Sequence, residues 1–380
     1  EHCEIYGGPS REVILEYAYP ALSQLEKEGV IIITKIADRY DLSGTKTKLE
    51  ERKQKYPKEA ESVEDILRRL NGNSLQHYQT SGDRFSSSLS NAFFSDLDFV
   101  YIATPNNTRR GFVSQAAYAK IAVILEKPLA NTVGAINDIV GIVHSSGIKA
   151  ICAEHYSYKD PSLRFFETFS EKSRGLGKIM SIEGILEEED FLAAERYAWL
   201  LEPSISGGGI WLDTGVHMMH LLHMTGSRLS QVNQAKGYEY KFSKGDSRNA
   251  VVNSETGAEV FFSIRGNNGM VDNNAYAHIK VSKCKPVPQK YFKVCSEKGE
   301  AFLDYNSNSI CWVRRDNGTP TLDCEKIEKT NPYRNMVLKF LRYLDGGEAP
   351  PTTLDKVKDS TDALFHVYEY MTKGDWRQFY

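Results

Sequence analysis

The sequence has few of the features that assign a function at first sight. None of its six cysteines forms a Cys-x-x-Cys pair, so neither a zinc site nor a redox dithiol is predicted. No apolar run approaches the length of a membrane span, so we expect no membrane segment. The net charge of −3 leaves no basic surplus for binding nucleic acid. The 380 residues therefore predict a globular chain of about two domains.

The cysteines also bear on the compartment. They are scattered along the chain as Cys3, Cys152, Cys284, Cys295, Cys311 and Cys324. Scattered, unpaired cysteines are typical of a reducing environment, so we expect a cytoplasmic protein. No secretory signal is visible, but the chain starts at Glu1 rather than at a methionine, which is also compatible with a signal that has been removed.

The first forty residues predict a dinucleotide-binding βαβ unit. A short strand leads into the turn Gly7-Gly8-Pro9-Ser10, and a helical pattern follows and closes at Gly29. The next run, residues 30–37, is almost entirely apolar, as expected of a strand buried on both faces, and it ends in Asp38. The turn would hold a pyrophosphate at a helix N-terminus, and Asp38 would bond the ribose hydroxyls.

The cofactor loop does not follow the usual pattern. Gly7-Gly8-Pro9-Ser10-Arg11 does not fit G-x-G-x-x-G, so a plain turn is as consistent with it as a phosphate loop. Arg39, directly after Asp38, could pair with a 2′-phosphate, although a solvated surface charge explains it equally well. Both NAD and NADP therefore remain open as cofactors.

Two further buried strands end in polar blocks. Residues 97–103 lead into Thr104-Pro105-Asn106, and residues 121–125 lead into Glu126-Lys127-Pro128. Ligands of open parallel sheets bind outside the carboxyl ends of the strands, so both blocks occupy the predicted ligand-facing edge. A lysine held there before a proline can hold a substrate hydroxyl beside a nicotinamide. A surface lysine at a strand end is the alternative.

Residues 206–226 contain the candidate acid–base motif. The glycines Gly207–Gly209 permit unusual backbone conformations and close approach of a ligand, and a helix is predicted from about Leu212 to Met224. Asp213 and His217 are four residues apart and share one face of that helix. An imidazole beside a carboxylate suits general acid–base chemistry, whereas a buried helix with a glycine turn is the plainer alternative. The spacing of His217, His220 and His223 spreads them around the helix, so no metal site is predicted.

These three blocks together resemble the glucose–fructose oxidoreductase / inositol dehydrogenase family (Gfo/Idh/MocA). The resemblance implies an α/β fold with an N-terminal Rossmann domain and a C-terminal α+β domain whose open sheet is largely antiparallel. The strand predicted at residues 147–153 puts the boundary near Glu154, giving domains 1–153 and 154–380, with the C-terminal helices free to pack back on the first domain. The resemblance also implies a homo-oligomer, a dimer or tetramer, formed through the C-terminal sheet.

The resemblance implies roles for individual residues. His217 would be the proton acceptor, Lys127 would contact substrate and the nicotinamide ribose, and Asp213 would bind substrate hydroxyls. The cofactor would be lined by Thr104, Pro105, Asn106, Glu126 and Lys127. The family often has a histidine after the Thr-Pro-Asn block, and here Arg109 or a neighbour replaces it. Trp211 could stack on a sugar ring, although core packing is the default for tryptophan.

A second resemblance is to the glucose-6-phosphate dehydrogenase family. Gly8-Pro9-Ser10-Arg11 is similar to its cofactor loop, which adds Gly8, Ser10 and Arg11 to the candidate cofactor residues. Residues 154–159, Glu-His-Tyr-Ser-Tyr-Lys, are similar to its Asp-His-Tyr-Leu-Gly-Lys block. By that analogy His155 and Lys159 would hold a sugar phosphate, with Tyr156 beside them. The same residues also fit the Asp-Pro turn that the first family has at this place.

The sequence therefore predicts an NAD(P)-dependent oxidoreductase that oxidises a CH–OH group of a sugar, cyclitol or sugar derivative. One alternative is a sugar-phosphate dehydrogenase that uses His155 and Lys159. Two others are a non-catalytic dinucleotide sensor and a protein that binds a partner through its broad sheet. The substrate, the carbon oxidised and the choice between NAD and NADP are not determined by the sequence.

Overall fold

The computed structural model describes residues 2–7, 18–38, 50, 61, 64–65, 75–77, 79–80, 87–88, 96–188, 200, 202–238, 254–266, 269–283, 287–316 and 319–373. The chain divides into two compact units. The first comprises residues 1–153 and 331–355, and the second comprises residues 154–330 and 356–380. We describe each unit by itself.

The first unit is built on a six-stranded parallel sheet. Its strands are β1 (His2–Gly7), β2 (Ile32–Asp38), β3 (Leu75–His77), β6 (Phe99–Ile102), β7 (Ala122–Leu125) and β8 (Ala150–Cys152), while β4 (Gln79–Thr80) and β5 (Ser87–Ser88) pair separately. The order in the sheet is β3-β2-β1-β6-β7-β8. Successive strands are added on one side of β1 up to β3 and on its other side from β6 onward. The position between β1 and β6 is therefore the switch point of a Rossmann fold.

The central strands of this sheet show why the sequence folds in this way. All four residues of β6 and all four of β7 are buried, so both faces of these strands are covered. Continuous apolar runs are typical of such strands. The predicted strands at residues 97–103 and 121–125 are thus confirmed.

Among the helices whose bounds the structure describes, three of the first unit precede residue 153: α1 (Tyr19–Lys27), α2 (Arg109–Tyr118) and α3 (Val133–Ser146). In α3 the Thr132 side chain accepts a hydrogen bond from the Ala135 amide at 3.1 Å, which caps the N-terminus. Gly147 ends the helix with a φ of +71°, a conformation that favours glycine. The predicted turn of residues 7–10 and Arg39 lie outside the described residues, except for Gly7 at the end of β1.

The second unit is built on a nine-stranded sheet. Its strands are β9 (Ile179–Glu187), β10 (Ser227–Tyr238), β11 (Gly257–Gly266), β12 (Val271–Ser282), β13 (Lys290–Ser296), β14 (Gly299–Asp304), β15 (Ser309–Asp316), β16 (Thr319–Lys326) and β17 (Met371–Lys373). Their order is β16-β15-β14-β13-β9-β12-β11-β10-β17. The β9–β12 and β10–β17 pairs are parallel and the others are antiparallel. The two sheets confirm the predicted fold class.

Helices cover the core of the second unit. They are α4 (Asp160–Lys172), the short α5 (Pro203–Ser206) and α6 (Ile210–Met224), and α6 lies against β9, β10, β11 and β12. Every residue of α6 up to His223 is buried. A helix that is buried on all sides accounts for the many apolar residues between Trp211 and Met224. It begins two residues earlier than predicted, and Gly226 follows its end with a φ of +84°.

Two helices follow the second sheet's last hairpin. In the first unit, α7 (Pro332–Leu344) is capped by the Asn331 side chain, and Phe340 packs edge-on against Phe99 with ring centroids 5.6 Å apart. Helix α8 (Leu354–Tyr368) begins in the first unit and continues in the second. No helix in the described part of the chain is long and apolar enough to cross a membrane.

The cysteines correct one expectation. Cys311 and Cys324 are directly paired across β15 and β16 and form a disulfide. The spacing of 13 residues gives no hint of the bond in the sequence, because the partners meet only through the strand register. The prediction that the cysteines are unpaired is wrong for these two, so the cysteines no longer support a reducing compartment. Among the described residues, Cys152 and Cys295 form no disulfide.

Candidate active site

The carboxyl ends of β6 and β7 carry two of the predicted polar blocks. Thr104, Asn106 and Glu126 are all buried, with exposures of 0%, 1% and 2%. Thr104 and Glu126 follow neighbouring parallel strands, and the Glu126 amide donates to the Ile102 carbonyl at 2.9 Å. The structure thus places the Thr104–Asn106 and Glu126–Pro128 blocks on the same edge of the sheet. This edge is where a Rossmann fold binds its ligand.

Glu126 is held by hydrogen bonds from two sides. Its Oε1 accepts a hydrogen bond from the Tyr101 hydroxyl at 2.5 Å, and its Oε2 accepts one from the Lys127 amide at 3.1 Å. Burial raises the pKa of Glu126, although these hydrogen bonds and the charges of Arg109 and Lys127 act in the opposite direction. The Lys127–Pro128 peptide bond is cis. Lys127 therefore follows a residue with a fixed carboxyl group.

The residues at this edge fit a dinucleotide. The hydroxyl of Thr104 is buried and has no hydrogen-bond partner among the residues that the structure describes, and the same holds for both amide atoms of Asn107. Such atoms ordinarily bind water or a ligand. Strand β2 ends at Asp38, at the same end of the parallel sheet. Gly8, Ser10, Arg11 and Arg39, which were also predicted to contact the cofactor, lie outside the described residues.

Asn107 is a candidate that the sequence reasoning missed. It follows the Thr-Pro-Asn block directly and lies in a short 3-10 helix, Asn106–Thr108. Its position beside a predicted cofactor block was the only available signal. Its unpartnered amide within the described part of the chain became visible only in the structure.

The second unit contains a buried imidazole–carboxylate pair. His217 Nδ1 lies within hydrogen-bond distance of both Glu154 oxygens, 2.9 Å from Oε2 and closer to Oε1. His217 is 4% exposed and Glu154 is 0% exposed. With Glu154 ionised, its oxygens only accept, so Nδ1 carries the proton and donates a hydrogen bond to Glu154. In the neutral ring the lone pair is then on Nε2, which is the nitrogen able to accept a proton.

Glu154 was named in the sequence only as a domain boundary and as part of a block. It is 63 residues from His217 along the chain, and it lies just before the 3-10 helix His155–Tyr158. Asp213, four residues before His217 on the same helix, lies 3.5 Å from the ammonium nitrogen of Lys283. Glu154 is thus an acidic partner of His217 that the sequence reasoning missed.

Two rings lie against the histidine. The ring of His155 lies edge-on to that of His217 with centroids 4.7 Å apart, and the Tyr156 ring is 4.5 Å from it. The Lys159 ammonium lies over the Tyr156 ring, 3.6 Å from the centroid, and 5.1 Å from that of Tyr305. The structure therefore brings together His155, Tyr156 and Lys159 around His217.

The charge of Lys159 is poorly compensated. Burial, together with the ammonium groups of Lys290 and Lys329, lowers the pKa of Lys159 to about 7, against the opposing carboxylates of Glu188 and Glu154. In the described part of the chain this ammonium makes cation–π contacts and no hydrogen bond or ion pair. An anion at this place would restore its charge.

Lysines and carboxylates form a network that also reaches Asp213. Lys283 lies 3.5 Å from Asp213 Oδ2 and 3.7 Å from Glu188 Oε2, and Lys290 lies 2.8 Å from Glu188 Oε1. Burial raises the pKa of Glu188, but the two ammonium groups outweigh it and the net pKa is lowered to about 2. Lys283 and Glu188 are thus further residues of the site that no sequence motif marked.

The glycine run serves packing. Gly207 has a φ of +91° and ends α5. A Cβ on Gly208 would collide with the Tyr368 phenol, and one on Gly209 would collide with the Glu255 carbonyl. The space predicted for a ligand is therefore filled by Tyr368 and Glu255. The plainer reading of this stretch is the correct one for its glycines.

Trp211 does not fit its predicted contact with substrate. It is 0% exposed, belongs to the hydrophobic core and donates its indole N–H to the Leu364 carbonyl at 3.1 Å. A tryptophan with its ring in the core and its N–H satisfied has no face to offer a sugar. Trp211 is in the core because α6 is buried on all sides.

The comparisons with known proteins agree with the fold. Residues 45–153 match the model of a family described as "Oxidoreductase family, NAD-binding Rossmann fold" (GFO_IDH_MocA). This match covers less than a third of the chain, and it agrees with the resemblance found in the sequence and with the Rossmann fold of the first unit.

Among curated proteins, the chain is similar to levoglucosan dehydrogenase from Pseudarthrobacter phenanthrenivorans. The two are 27% identical over 139 residues, which are 36% of this chain and 35% of that protein. The chain thus matches about a third of the length of this relative.

Solved structures are similar over nearly the whole chain. A 3-ketoreductase from Actinomadura kijaniata, in complex with NADP and TDP-benzene, has a TM-score of 0.68 and 12% identity and covers 98% of both chains. Aldose–aldose oxidoreductase from Caulobacter crescentus, complexed with glycerol, has a TM-score of 0.68 and 17% identity over 97% of this chain and 96% of that one. At these identities the likeness shows the fold.

Proposed function

We propose that the protein is an NAD(P)-dependent oxidoreductase that oxidises a CH–OH group of a sugar, cyclitol or sugar derivative. The observation that carries the proposal is the buried Glu154–His217 pair, because a binding protein has no need of a fixed proton acceptor. The match of residues 45–153 to an NAD-binding oxidoreductase family supports the cofactor.

His217 takes the hydroxyl proton of the substrate on Nε2. Glu154 holds the ring by Nδ1 at 2.9 Å, fixes this tautomer and stabilises the imidazolium that forms. The O–H electrons form the carbonyl bond as the hydride leaves the same carbon. When bound, the nicotinamide accepts that hydride, and the protein supplies position and proton transfer.

Lys127 and Asp213 bind hydroxyl groups in this proposal. The ammonium of Lys127 would hold the reacting oxygen and the nicotinamide ribose. Asp213 would accept hydrogen bonds from substrate hydroxyls, and its Oδ2 also lies 3.5 Å from the ammonium nitrogen of Lys283. Thr104, Asn106, Asn107 and Glu126 would contact the cofactor at the edge of the parallel sheet.

The first test is a titration of the purified protein with NADH and with NADPH, followed by nucleotide fluorescence. We expect one nucleotide to bind, and we expect Thr104→Val to weaken that binding because it replaces the unpartnered hydroxyl with a methyl group of similar size. Ser114→Ala, on the same unit's helix α2, is a control that should bind as the wild type does. A folded protein that binds neither nucleotide would contradict the proposal.

The same preparation is then screened with sugars, cyclitols and sugar phosphates. Formation of NADH or NADPH with any of them, and its loss in His217→Ala, would support the reaction. Nucleotide binding without turnover of any sugar, cyclitol or sugar phosphate would instead favour a dinucleotide sensor.

A second candidate function is the dehydrogenation of a sugar phosphate. The uncompensated charge of Lys159 favours it, since a phosphate would supply the missing anion. Because its pKa is about 7, Lys159 is charged below pH 7 and loses its charge above it. Phosphorylated substrates should therefore bind more weakly as pH rises through about 7, and Lys159→Met should remove this pH dependence.

We also propose that the protein is a homo-oligomer, assembled through the sheet of the second unit. Tyr276 is 52% exposed on β12, and His278 stacks on Phe261 with ring centroids 4.2 Å apart on the neighbouring strand. Exposed aromatic residues of this kind are enriched in interfaces. Light scattering on the purified protein should give twice or four times the mass of the chain.

A further inference from the structure

Arg109 is a fully buried cation at the start of α2, with 1% of its surface exposed. Its Nε donates to the Thr104 carbonyl at 2.9 Å, and its Nη1 donates to the Glu126 carbonyl at 2.6 Å and also to the Pro128 carbonyl. One guanidinium therefore binds the backbone of both polar blocks at the edge of the parallel sheet. Burying such a charge is costly unless its N–H groups form hydrogen bonds, and here three of these bonds go to backbone carbonyls.

Lys127 lies between two of these anchors. The carbonyl before it, of Glu126, and the carbonyl after it, of Pro128, both accept from Arg109. The Lys127 amide donates to Glu126 Oε2 at 3.1 Å, and the Tyr101 hydroxyl fixes the other oxygen of that carboxylate at 2.5 Å. The backbone on both sides of Lys127 is thus held by side chains of the same unit.

We propose that Arg109 is a positioning residue that acts on the reaction through Lys127. It sets the backbone from which the Lys127 side chain extends, and it joins that segment to the Thr104 loop that lines the cofactor. This inference rests on the role given to Lys127 in the proposed function. A histidine in place of Arg109 has two ring nitrogens and, when neutral, one N–H donor, so it cannot bind three carbonyls on two loops.

The test is a double-mutant cycle between Arg109→Lys and Lys127→Ala, measured as kcat with the best substrate of the screen. A lysine keeps the charge but loses the fork of donors, so we expect kcat to fall by about 10- to 100-fold, the cost of a misplacement of about 1 Å. In the Lys127→Ala background the same change should lower kcat by less than about threefold, because the group that Arg109 positions is gone. Equal factors in both backgrounds would overturn the proposal.

Arg110→Lys is the matched control. Arg110 is the next residue, but its side chain is 58% exposed and pairs with Asp138 at 2.7 Å on the surface. We expect kcat to change by less than about twofold, as for an exposed ion pair. Arg109→His is the second variant at the buried position. If both Arg109 variants fail to fold, Arg109 is a structural residue and the proposal is wrong.

A second readout needs no turnover, so it separates this inference from the proposed function. Acylation of lysines by acetic anhydride, followed by mass spectrometry, gives the labelling rate of Lys127 relative to the exposed Lys178. We expect Arg109→Lys to change the Lys127 rate severalfold and to leave that of Lys178 unchanged. If the wild type turns over no substrate but the Lys127 rate still changes, the proposed function fails and the positioning role stands. If the Lys127 rate is unchanged, the positioning role fails.

Discussion

Helix α6 contacts two buried glutamates, one at its N-terminus and one two turns later, and the two contacts differ in their chemistry. At its start, Gly208 and Gly209 pack against Tyr368 and Glu255, and the Glu255 carboxylate accepts from the amides of Gly209 and Trp211 at 3.1 and 2.9 Å. Two turns later, His217 meets the carboxylate of Glu154. In both regions a buried glutamate accepts a hydrogen bond from a group of the helix or of the residue before it.

The difference lies in what each carboxylate binds. Glu255 satisfies backbone amides at a helix N-terminus, where an acceptor is needed for folding. Burial raises its pKa, while the hydroxyls of Tyr368 and Ser254 act in the opposite direction. Glu154 binds an imidazole, a group that can change its protonation during a reaction. The chemical identity of the partner, rather than burial or glycine content, separates this structural carboxylate from the one that we propose to act in catalysis.

The largest expected effect is on the catalytic side of this comparison. His217→Ala should lower kcat by about two to four orders of magnitude, the usual contribution of a general base. Glu154→Gln, which keeps the shape of the side chain but not its charge, should lower kcat by a smaller factor. Steady-state kinetics with the substrate from the screen checks both. Wild-type kcat in His217→Ala would remove this residue from the mechanism.

The next effect is on folding. Gly209→Ala places a methyl group against the Glu255 carbonyl oxygen and 2.6 Å from the Ser254 hydroxyl, and both of these residues are buried. We expect a loss of about 1–3 kcal/mol in the free energy of unfolding, as for overpacked sites. Urea denaturation measures it, with Gly346→Ala as a comparison at a turn where a Cβ would meet no atom within 4 Å but φ is +90°. A stable variant with reduced substrate affinity would instead restore the ligand role of the glycine run.

Trp211→Phe tests whether this residue contacts substrate. The change removes the indole N–H that donates to Leu364 at 3.1 Å and leaves space in the core. We expect about 1–3 kcal/mol of destabilisation, by analogy with other core truncations and lost buried hydrogen bonds, and an unchanged KM. A raised KM in a variant of wild-type stability would show that the tryptophan reaches the substrate after all.

The smallest effect is expected for Tyr368→Phe. The lost hydroxyl donates to Glu255 at 2.7 Å and accepts from the Gly209 amide at 3.1 Å. Its removal should cost about 1 kcal/mol, the net value of a typical buried hydrogen bond, and should leave kcat unchanged. Thermal unfolding and initial rates measured side by side check both. A loss of activity without a loss of stability would place the first turn of α6 in the active site.

Part of the architecture was predictable because its cause is local. The buried strands β6 and β7 are continuous apolar runs, and α3 has a threonine at its start and a glycine just past its end. Such signals depend on a few neighbouring residues. Strand β16 was missed because all eight of its residues are exposed, so it has no apolar alternation to mark it.

Individual residues of the candidate site could be predicted from the sequence, but the contacts between them could not. His217 was identified from its motif, and Asp213 was expected as its neighbour from helical spacing. Glu154, whose carboxylate contacts His217 Nδ1, comes from a segment 63 residues away and was not expected, because the packing of the second unit sets this contact. The Lys283–Asp213 ion pair likewise joins α6 to the end of β12. Contacts between distant segments carry no periodic signal in a single sequence.

The disulfide between Cys311 and Cys324 attaches the edge strand of the nine-stranded sheet through a bond that a reductant can break. Strand β16 is the last strand on its side of the described sheet, and its ladder to β15 and the disulfide both attach it to the sheet. A thiol reagent would break the covalent part of this attachment. If β16 then separated from β15, the unpaired backbone groups of β15 could pair with a strand of another molecule. Storage with or without reductant would therefore change how strongly the protein self-associates.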